Sequence, residues 1–165
     1  MDQAIEELKS GGADIAVGIS PSSIVTAAWT VMKCRYGCPE YGRNLCCPPF
    51  APSWREMADI LACYERAILF RVHDMAVGTP LALSVCAGLF RRGYYKALAF
   101  GTGPCHKCSV CAGKPGACPQ PYDTAPSMEA CGVDVFATVR ANGIEVAPYA
   151  APGAVPDCFG LVLVD

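Results

Sequence analysis

The segment GTGPCHKCSVCAGKPGACPQP, residues 101–121, decides the architecture of this chain. Glycine and proline recur throughout it, and because both residues interrupt helices and strands, they predict an irregular loop that continues to about Pro126. Regular patterns flank this loop. Residues 94–100 predict a short strand before it, and residues 127–143 predict a helix after it. A folded framework therefore carries a long loop that contains four cysteines.

A second segment rich in glycine and proline covers residues 34–52 and predicts another loop with four cysteines. Directly after it, the sequence SWRE at residues 53–56 forms a capping box. In this motif the Ser53 hydroxyl accepts a hydrogen bond from the third backbone N–H of a helix, and the Glu56 side chain reaches back to the N–H of Ser53. The motif predicts a helix over residues 54–64.

The rest of the chain alternates between helix and strand patterns. Ile5 and Leu8, with acidic residues between them, predict a short helix that ends at Gly11 and Gly12. Further strands are predicted at residues 14–19, 23–30, 66–72, 144–147 and 159–164, and a helix that starts at Pro80 and ends at Gly93 follows a connection over residues 73–79. Together they predict one α/β domain over residues 1–165, with a mixed β-sheet, flanking helices and two long cysteine-rich metal-binding loops.

The composition narrows the class of protein. Hydrophobic residues make up 53% of the 165 residues, charged residues make up 17%, and the formal net charge is −2. This composition excludes a disordered chain. The chain also lacks the excess of basic residues with which proteins bind nucleic acid. The longest apolar runs, residues 24–32 and 81–90, are about half as long as a membrane-spanning helix. We therefore expect no nucleic-acid partner and no membrane span.

The start of the chain and the cysteine count bear on its compartment. Asp2, Glu6 and Glu7 lie within the first ten residues, where an export signal has basic and then apolar residues, so we expect a cytoplasmic protein. Twelve cysteines are several times the average usage. Since disulfides are disfavoured in the cytosol, metal binding, catalysis or core packing must account for them. Four isolated cysteines lie on apolar patterns and are predicted to be core residues: Cys63, Cys86, Cys131 and Cys158.

The second cysteine loop, residues 103–126, has the spacing of an iron–sulfur ligand loop. Cys105, Cys108 and Cys111 are separated by two residues each, and Cys118-Pro119 follows, which is close to the bacterial ferredoxin arrangement. This spacing lets three thiolates reach three irons of a [4Fe–4S] cluster, and Gly103 leaves a backbone N–H free to approach the cluster. Zinc and unliganded thiols are the alternatives.

The first cysteine loop, residues 34–52, offers Cys34, Cys38 and Cys47 as well-spaced thiolates. They predict a second cluster or metal, and three ligands on a cubane would leave one iron open to substrate. Cys46 is interpreted as a cysteine that does not bind the metal, because successive side chains diverge in most loops. The alternatives are zinc, which a tetrahedral set of three or four thiolates would hold, and a loop of buried thiols without metal.

Three motifs carry a resemblance to a known family. KCRYGCPEYGRNLCCPP at residues 33–49, GPCHKCSVC at residues 103–111 and PSMEACGVDV at residues 126–135 resemble the uncharacterised prokaryotic family of predicted metal-binding proteins, a domain of unknown function. The resemblance covers nearly the whole chain and implies a cysteine-ligated cofactor. The family pattern has one cysteine before its Pro-Pro pair, which maps to Cys47 and makes Cys46 the additional one. Pro119 stands where the family commonly has a basic residue.

Three classes of function follow from these residues. An iron–sulfur redox module would pass single electrons to a partner protein, a small metalloenzyme would use an open cluster iron on a small-molecule substrate, and a zinc-binding structural or interaction protein would use the metal to pin its loops. All three stay open at the level of the sequence. Glu129 is expected to cap the helix predicted at residues 127–143, and the alternative is a proton donor that faces the second cysteine loop.

Overall fold

The computed structural model of the chain describes residues 1–146 and 155–165. In chain order, the helices and strands of these residues are α1 (Asp2–Ser10), β1 (Ile15–Ile19), α2 (Trp29–Gly37), α3 (Trp54–Leu61), β2 (Ala67–Val72), α4 (Met75–Arg91), β3 (Leu98–Phe100), α5 (Val135–Ala141) and β4 (Cys158–Leu163). Short 3-10 turns occur at Pro21–Ser23, Pro121–Asp123 and Glu129–Cys131. No helix within the described ranges is long and apolar enough to cross a membrane.

In the described part of the chain, four strands form one sheet in the order β1-β2-β4-β3. β2 pairs with β1 and with β4, and β3 pairs with β4, in each case antiparallel. The predicted α/β class is confirmed, but the sheet is antiparallel instead of mixed. The sheet is antiparallel because of the position of β4. The strands β2 and β3, which α4 connects, run in the same direction, and β4 lies between them and runs opposite to both.

β2 is buried on both faces because helices cover both sides of the sheet. Alternate side chains of a strand point to opposite faces. Ile68 and Phe70 pack with residues of α1 and α4 on one side. Leu69 packs with Met57 of α3 and with Met128 on the other side. All five of these side chains are fully buried, and each such burial stabilises the fold by about 1.5–3 kcal/mol.

Several predicted elements are confirmed. The N-terminal helix and the strands at β1, β2 and β4 form within a few residues of their expected bounds, and β3 is shorter than expected. The capping box of α3 is complete, because Ser53 N–H donates to Glu56 at 2.8 Å and Glu56 N–H donates to the Ser53 hydroxyl at 3.3 Å. The strand predicted at residues 144–147 is not formed by residues 144–146, and residue 147 lies outside the described residues.

Residues 23–30 do not form the predicted strand. Their backbone bonds to the segment before and within α5 instead of to the sheet. Ala27 N–H donates to the Gly132 carbonyl at 2.7 Å, and Val25 N–H donates to the Thr138 hydroxyl at 3.0 Å. Because these donors find partners away from the sheet edge, a sequence with strand propensity becomes a connection that leads into α2.

The helix predicted over residues 127–143 is wrong in its first half. Gly132 has a left-handed backbone with φ of 82°, which ends the turn Glu129–Cys131. A Cβ at this position would lie 2.5 Å from the Trp54 side chain, so only glycine fits there. Asp134 then begins α5, because its side chain accepts a hydrogen bond from Ala137 N–H at 2.9 Å.

Two further boundaries differ from the prediction. Residues 73–79 are not a connection, because the Asp74 side chain accepts from Ala76 N–H at 2.8 Å and begins α4 there, which leaves Pro80 inside the helix. Cys34 does not lie in a loop. The segment Trp29–Gly37 contains no proline, and α2 therefore continues through Cys34 to Gly37.

Candidate metal centres

Two cavities divide the clustered cysteines into two groups. The first cavity, of about 390 Å³, is lined by Cys34, Cys38 and Cys47 among other residues. The second cavity, of about 290 Å³, is lined by Cys46, Cys105, Cys108, Cys111 and Cys118. The structure therefore brings together each of the two ligand sets predicted from the sequence. It also places Cys46 with the second set, although its neighbour Cys47 belongs to the first.

The end of α2 and a tight turn position the first set. Cys38 N–H donates to the Cys34 carbonyl at 3.2 Å, so both residues lie at the C-terminal end of α2. Cys47 N–H donates to the Asn44 carbonyl at 2.9 Å, and Ala51 N–H donates to the Cys47 carbonyl at 3.1 Å. Because its backbone is bonded on both sides, Cys47 is held in a fixed, buried place on the wall of the first cavity.

Asn44 joins the first cysteine loop to the second. Its amide Nδ2 donates to the Cys105 carbonyl at 2.7 Å, and its Oδ1 accepts from Cys46 N–H at 3.0 Å. Beside it, Leu45 N–H donates to the Cys111 sulfur at 3.5 Å. Asn44 is only 4% exposed, so these bonds replace the water that its amide would otherwise bind. Sequence reasoning missed this role, because no local pattern connects Asn44 to the other cysteine loop.

The N-terminal part of α4 holds the start of the second cysteine loop. The Thr102 hydroxyl donates to the Met75 carbonyl at 2.9 Å, and Thr102 N–H donates to the Thr79 hydroxyl at 3.2 Å. Gly103 has φ of 116°, and a Cβ there would lie 2.3 Å from the Met75 sulfur. Gly103 lines the first cavity, whereas the sequence placed it beside the ligands of the second cysteine loop.

Burial and neighbouring thiols raise the pKa values of Cys46 and Cys47. Burial raises the pKa of the Cys46 thiol to about 11, and the nearby Cys105 adds to the shift. Burial likewise raises the pKa of the Cys47 thiol to about 12, and Cys38 contributes. Both thiols are therefore protonated at neutral pH unless a cation offsets the charge of the thiolates.

Cys111 has the opposite environment. Backbone N–H groups of Gly113 and Leu45 point at its sulfur and lower the pKa of the Cys111 thiol. Hydrogen bonds from backbone N–H groups favour the charged form of an acceptor. Cys111 is therefore the thiol of the second cavity that is best prepared to act as a thiolate.

Glu129 places a carboxyl group in the first cavity. Glu129 is exposed and lines this cavity, and the protein around the site partly desolvates its carboxyl. This desolvation raises the pKa of the Glu129 carboxyl, while hydrogen bonds from its own N–H and from Ser127 act against the rise. The predicted role as the cap of a helix at residues 127–143 is wrong, because that helix does not form, and the carboxyl faces the first cavity instead of the second cysteine loop.

Comparison with protein families assigns the chain. The family model described as "Predicted metal-binding protein (DUF2284)" matches residues 18–164, which is most of the sequence. The chain belongs to this family. No curated protein and no solved structure matches it. The match confirms the resemblance carried by the three cysteine-containing motifs.

Membership in the predicted metal-binding protein family indicates a metal, and the donors of both cavities suit one. Thiolates are soft ligands that select zinc, copper(I) and iron–sulfur clusters. Across the described residues, no three side chains of His, Cys, Asp or Glu converge closely enough to hold a single metal ion. The clustered cysteines instead line two cavities.

The isolated cysteines differ in their surroundings. Cys131 and Cys158 are buried, as predicted, and Cys86 is half-buried, where its thiol donates to the Ala97 carbonyl at 3.2 Å. Cys63 is exposed, so its prediction as a core residue is wrong: it follows the end of α3, past the helix face that packs on the sheet. Cys158 also lines the first cavity, a role that its position in an apolar strand did not reveal.

Proposed function

We propose that this chain is an iron–sulfur protein that carries a [4Fe–4S] cluster on its second cysteine loop. The observation that carries the proposal is the ring of five thiols around the second cavity. Cys105, Cys108 and Cys111 have ferredoxin-like spacing, and Cys46 and Cys118 supply further thiols from two directions. A cubane needs four thiolates around a space larger than a single ion, and five cysteines among the lining residues of this cavity support the proposal.

We propose a second metal centre at Cys34, Cys38 and Cys47. Three thiolates on a four-iron cluster leave one coordination position for another molecule. The first cavity extends away from these thiols to an aromatic wall that includes Trp29 and Phe136. A wide, mostly apolar cavity with a few polar groups is typical of small-molecule sites. This supports a small metalloenzyme whose substrate binds in the first cavity.

The residues of the two cavities have distinct chemical tasks. The bound groups would supply one-electron chemistry and, in the first cavity, a Lewis-acidic metal. Asn44 holds the two loops at a fixed separation through its bonds to Cys46 and Cys105. Glu129 can hold a proton at a carboxyl oxygen inside the first cavity, where partial desolvation favours its neutral form.

The proposal also covers the compartment and the partner. Free thiols persist in the reducing cytoplasm, so we place the protein there. A centre on an irregular surface loop is accessible to a second protein that exchanges single electrons with it. We therefore propose a redox protein as the partner and a small molecule as the substrate.

Metal analysis of anaerobically purified protein tests the proposal. We expect brown protein with iron and acid-labile sulfide in equal amounts and, after reduction, an electron paramagnetic resonance (EPR) signal of a four-iron cluster. A Cys63→Ser variant serves as the control and should contain as much iron as the wild type. Stoichiometric zinc without sulfide, after anaerobic reconstitution with iron and sulfide, would show that the family's metal in this chain is zinc with a structural role.

A further inference from the structure

The two cavities adjoin at three peptide bonds, and one of these joins two cysteines, Cys46 and Cys47. Cys46 lines the second cavity and Cys47 lines the first, so the chain crosses the wall between the cavities at this pair. Adjacent Cα atoms are about 3.8 Å apart across a trans peptide, and each sulfur is two bonds from its Cα, so the two sulfurs lie within about 10 Å of each other. Whatever fills the two cavities is therefore separated by very little protein.

The neighbours of each thiol confirm this division. Cys46 shares the second cavity with Thr124, Cys105 and Cys118. Cys47 shares the first cavity with Cys34 and Cys38. The two thiols thus have different near neighbours although their residues are consecutive.

Asn44 keeps this crossing rigid. Its Oδ1 accepts from Cys46 N–H at 3.0 Å, and its backbone carbonyl accepts from Cys47 N–H at 2.9 Å. One buried residue therefore bonds to both N–H groups of the pair. A connection fixed in this way keeps a constant distance between the two cavities, which a flexible loop would not do.

We propose that the Cys46–Cys47 pair couples the two metal centres, so that single electrons pass directly between the first and second cavities within one chain. This inference rests on the proposed function, since it requires a redox-active group in each cavity. In each transfer one centre is oxidised by one electron while the other is reduced by one. A low-potential one-electron donor would supply the electron at the second cysteine loop, and the oxidised centre in the first cavity would accept it, so that the donor ends oxidised by one electron and that centre ends reduced by one.

The coupling is tested by EPR of the fully reduced protein. Dithionite under anaerobic conditions places an unpaired spin on each centre. Two nearby spins interact, so we expect a broadened spectrum with additional features that the sum of two isolated centres does not contain. The reference spectra come from Cys38→Ser, which removes a ligand of the first cavity, and Cys108→Ser, which removes a ligand of the second.

The outcomes separate the inference from the proposed function. Loss of the additional features in both variants, with one centre's iron remaining in each, supports the coupling. A wild-type spectrum equal to the sum of the two variant spectra overturns the coupling while leaving the iron–sulfur proposal intact. Protein with iron for only one cluster also overturns it, and protein without sulfide overturns the proposed function itself. Cys63→Ser is the matched control and should keep the wild-type spectrum.

Discussion

Cys46 and Cys47 are chemically identical, and their different roles come from the backbone. Cys46 lies inside a turn that the bond from Cys47 N–H to the Asn44 carbonyl closes, and Pro48 restricts the backbone of Cys47. The structure shows the result, since each of the two thiols lines a different cavity. A pair that the sequence presents as one ligand and one cysteine that does not bind the metal is therefore a pair of residues with separate neighbours.

This difference predicts separate losses of metal. Cys47→Ala should abolish metal binding in the first cavity, because only Cys34 and Cys38 would remain of its thiolate set. Cys46→Ala should leave the first cavity loaded and alter the spectrum of the second centre only. Iron content and EPR of the two variants measure this. If Cys46→Ala empties the first cavity while Cys47→Ala does not, the assignment of the two thiols is reversed.

At the scale of elements, the cysteine loops depend on contacts that they do not make within themselves. The second cysteine loop is irregular apart from the turn Pro121–Asp123. Its start is bonded to α4 through Thr102, and its ligand region is bonded to the first loop through Asn44. Between these two points we expect the proposed bound group to supply the remaining order, since metal binding and folding are coupled in such loops.

The loop therefore predicts unequal effects of two serine substitutions. Cys108→Ser removes a thiol from the wall of the second cavity and should disorder residues 103–126, with a large fall in melting temperature of the metal-loaded protein. Cys63→Ser changes an exposed side chain and should alter stability by less than about 0.5 kcal/mol. Thermal unfolding and hydrogen exchange of the loop measure both effects. Equal melting temperatures would count against a cofactor that orders the loop.

Local signals predicted the elements whose bonds are local. The capping box at Ser53 and the apolar run at residues 66–72 need no information from elsewhere in the chain, and both predictions are confirmed. The errors arise where distant partners decide. Residues 23–30 have strand propensity, but their N–H groups bond to Gly132 and Thr138, more than a hundred residues away. Tertiary hydrogen bonds of this kind override propensity.

The candidate sites show the same division. Spacing alone divided the seven predicted ligands into the two sets of cysteines that line separate cavities. It could not assign Cys46, Glu129 or Cys158 to a cavity, since each comes to its cavity through packing of separate segments. Asn44 was missed for the same reason, because its partner Cys105 lies on the other loop.

For the whole molecule, charged pairs connect segments that are far apart in the sequence. Arg71 of β2 forms an ion pair with Asp14, which precedes β1, and lies 3.3 Å from Asp157, which precedes β4. Hydrogen bonds from Arg71 lower the pKa of the Asp14 carboxyl below its ordinary value. Arg71 thus connects β2 to the residues that directly precede β1 and β4, at one end of the sheet.

This pair predicts a specific loss of stability in acid. Because the pKa of Asp14 is lower in the folded chain than in the unfolded chain, its contribution is fully present above the ordinary aspartate pKa and disappears as the pH falls through the lowered value. Asp14→Asn should reduce the free energy of unfolding by up to about 1 kcal/mol at pH 7, since the pair is partly exposed. Urea unfolding of metal-loaded wild type and variant between pH 7 and pH 3 isolates the pair, because acid release of the metal affects both proteins alike. The difference between them should shrink as the pH falls below the ordinary aspartate pKa towards pH 3, and a difference that persists unchanged at the acidic end would show that Asp14 stabilises the sheet through its shape instead of its charge.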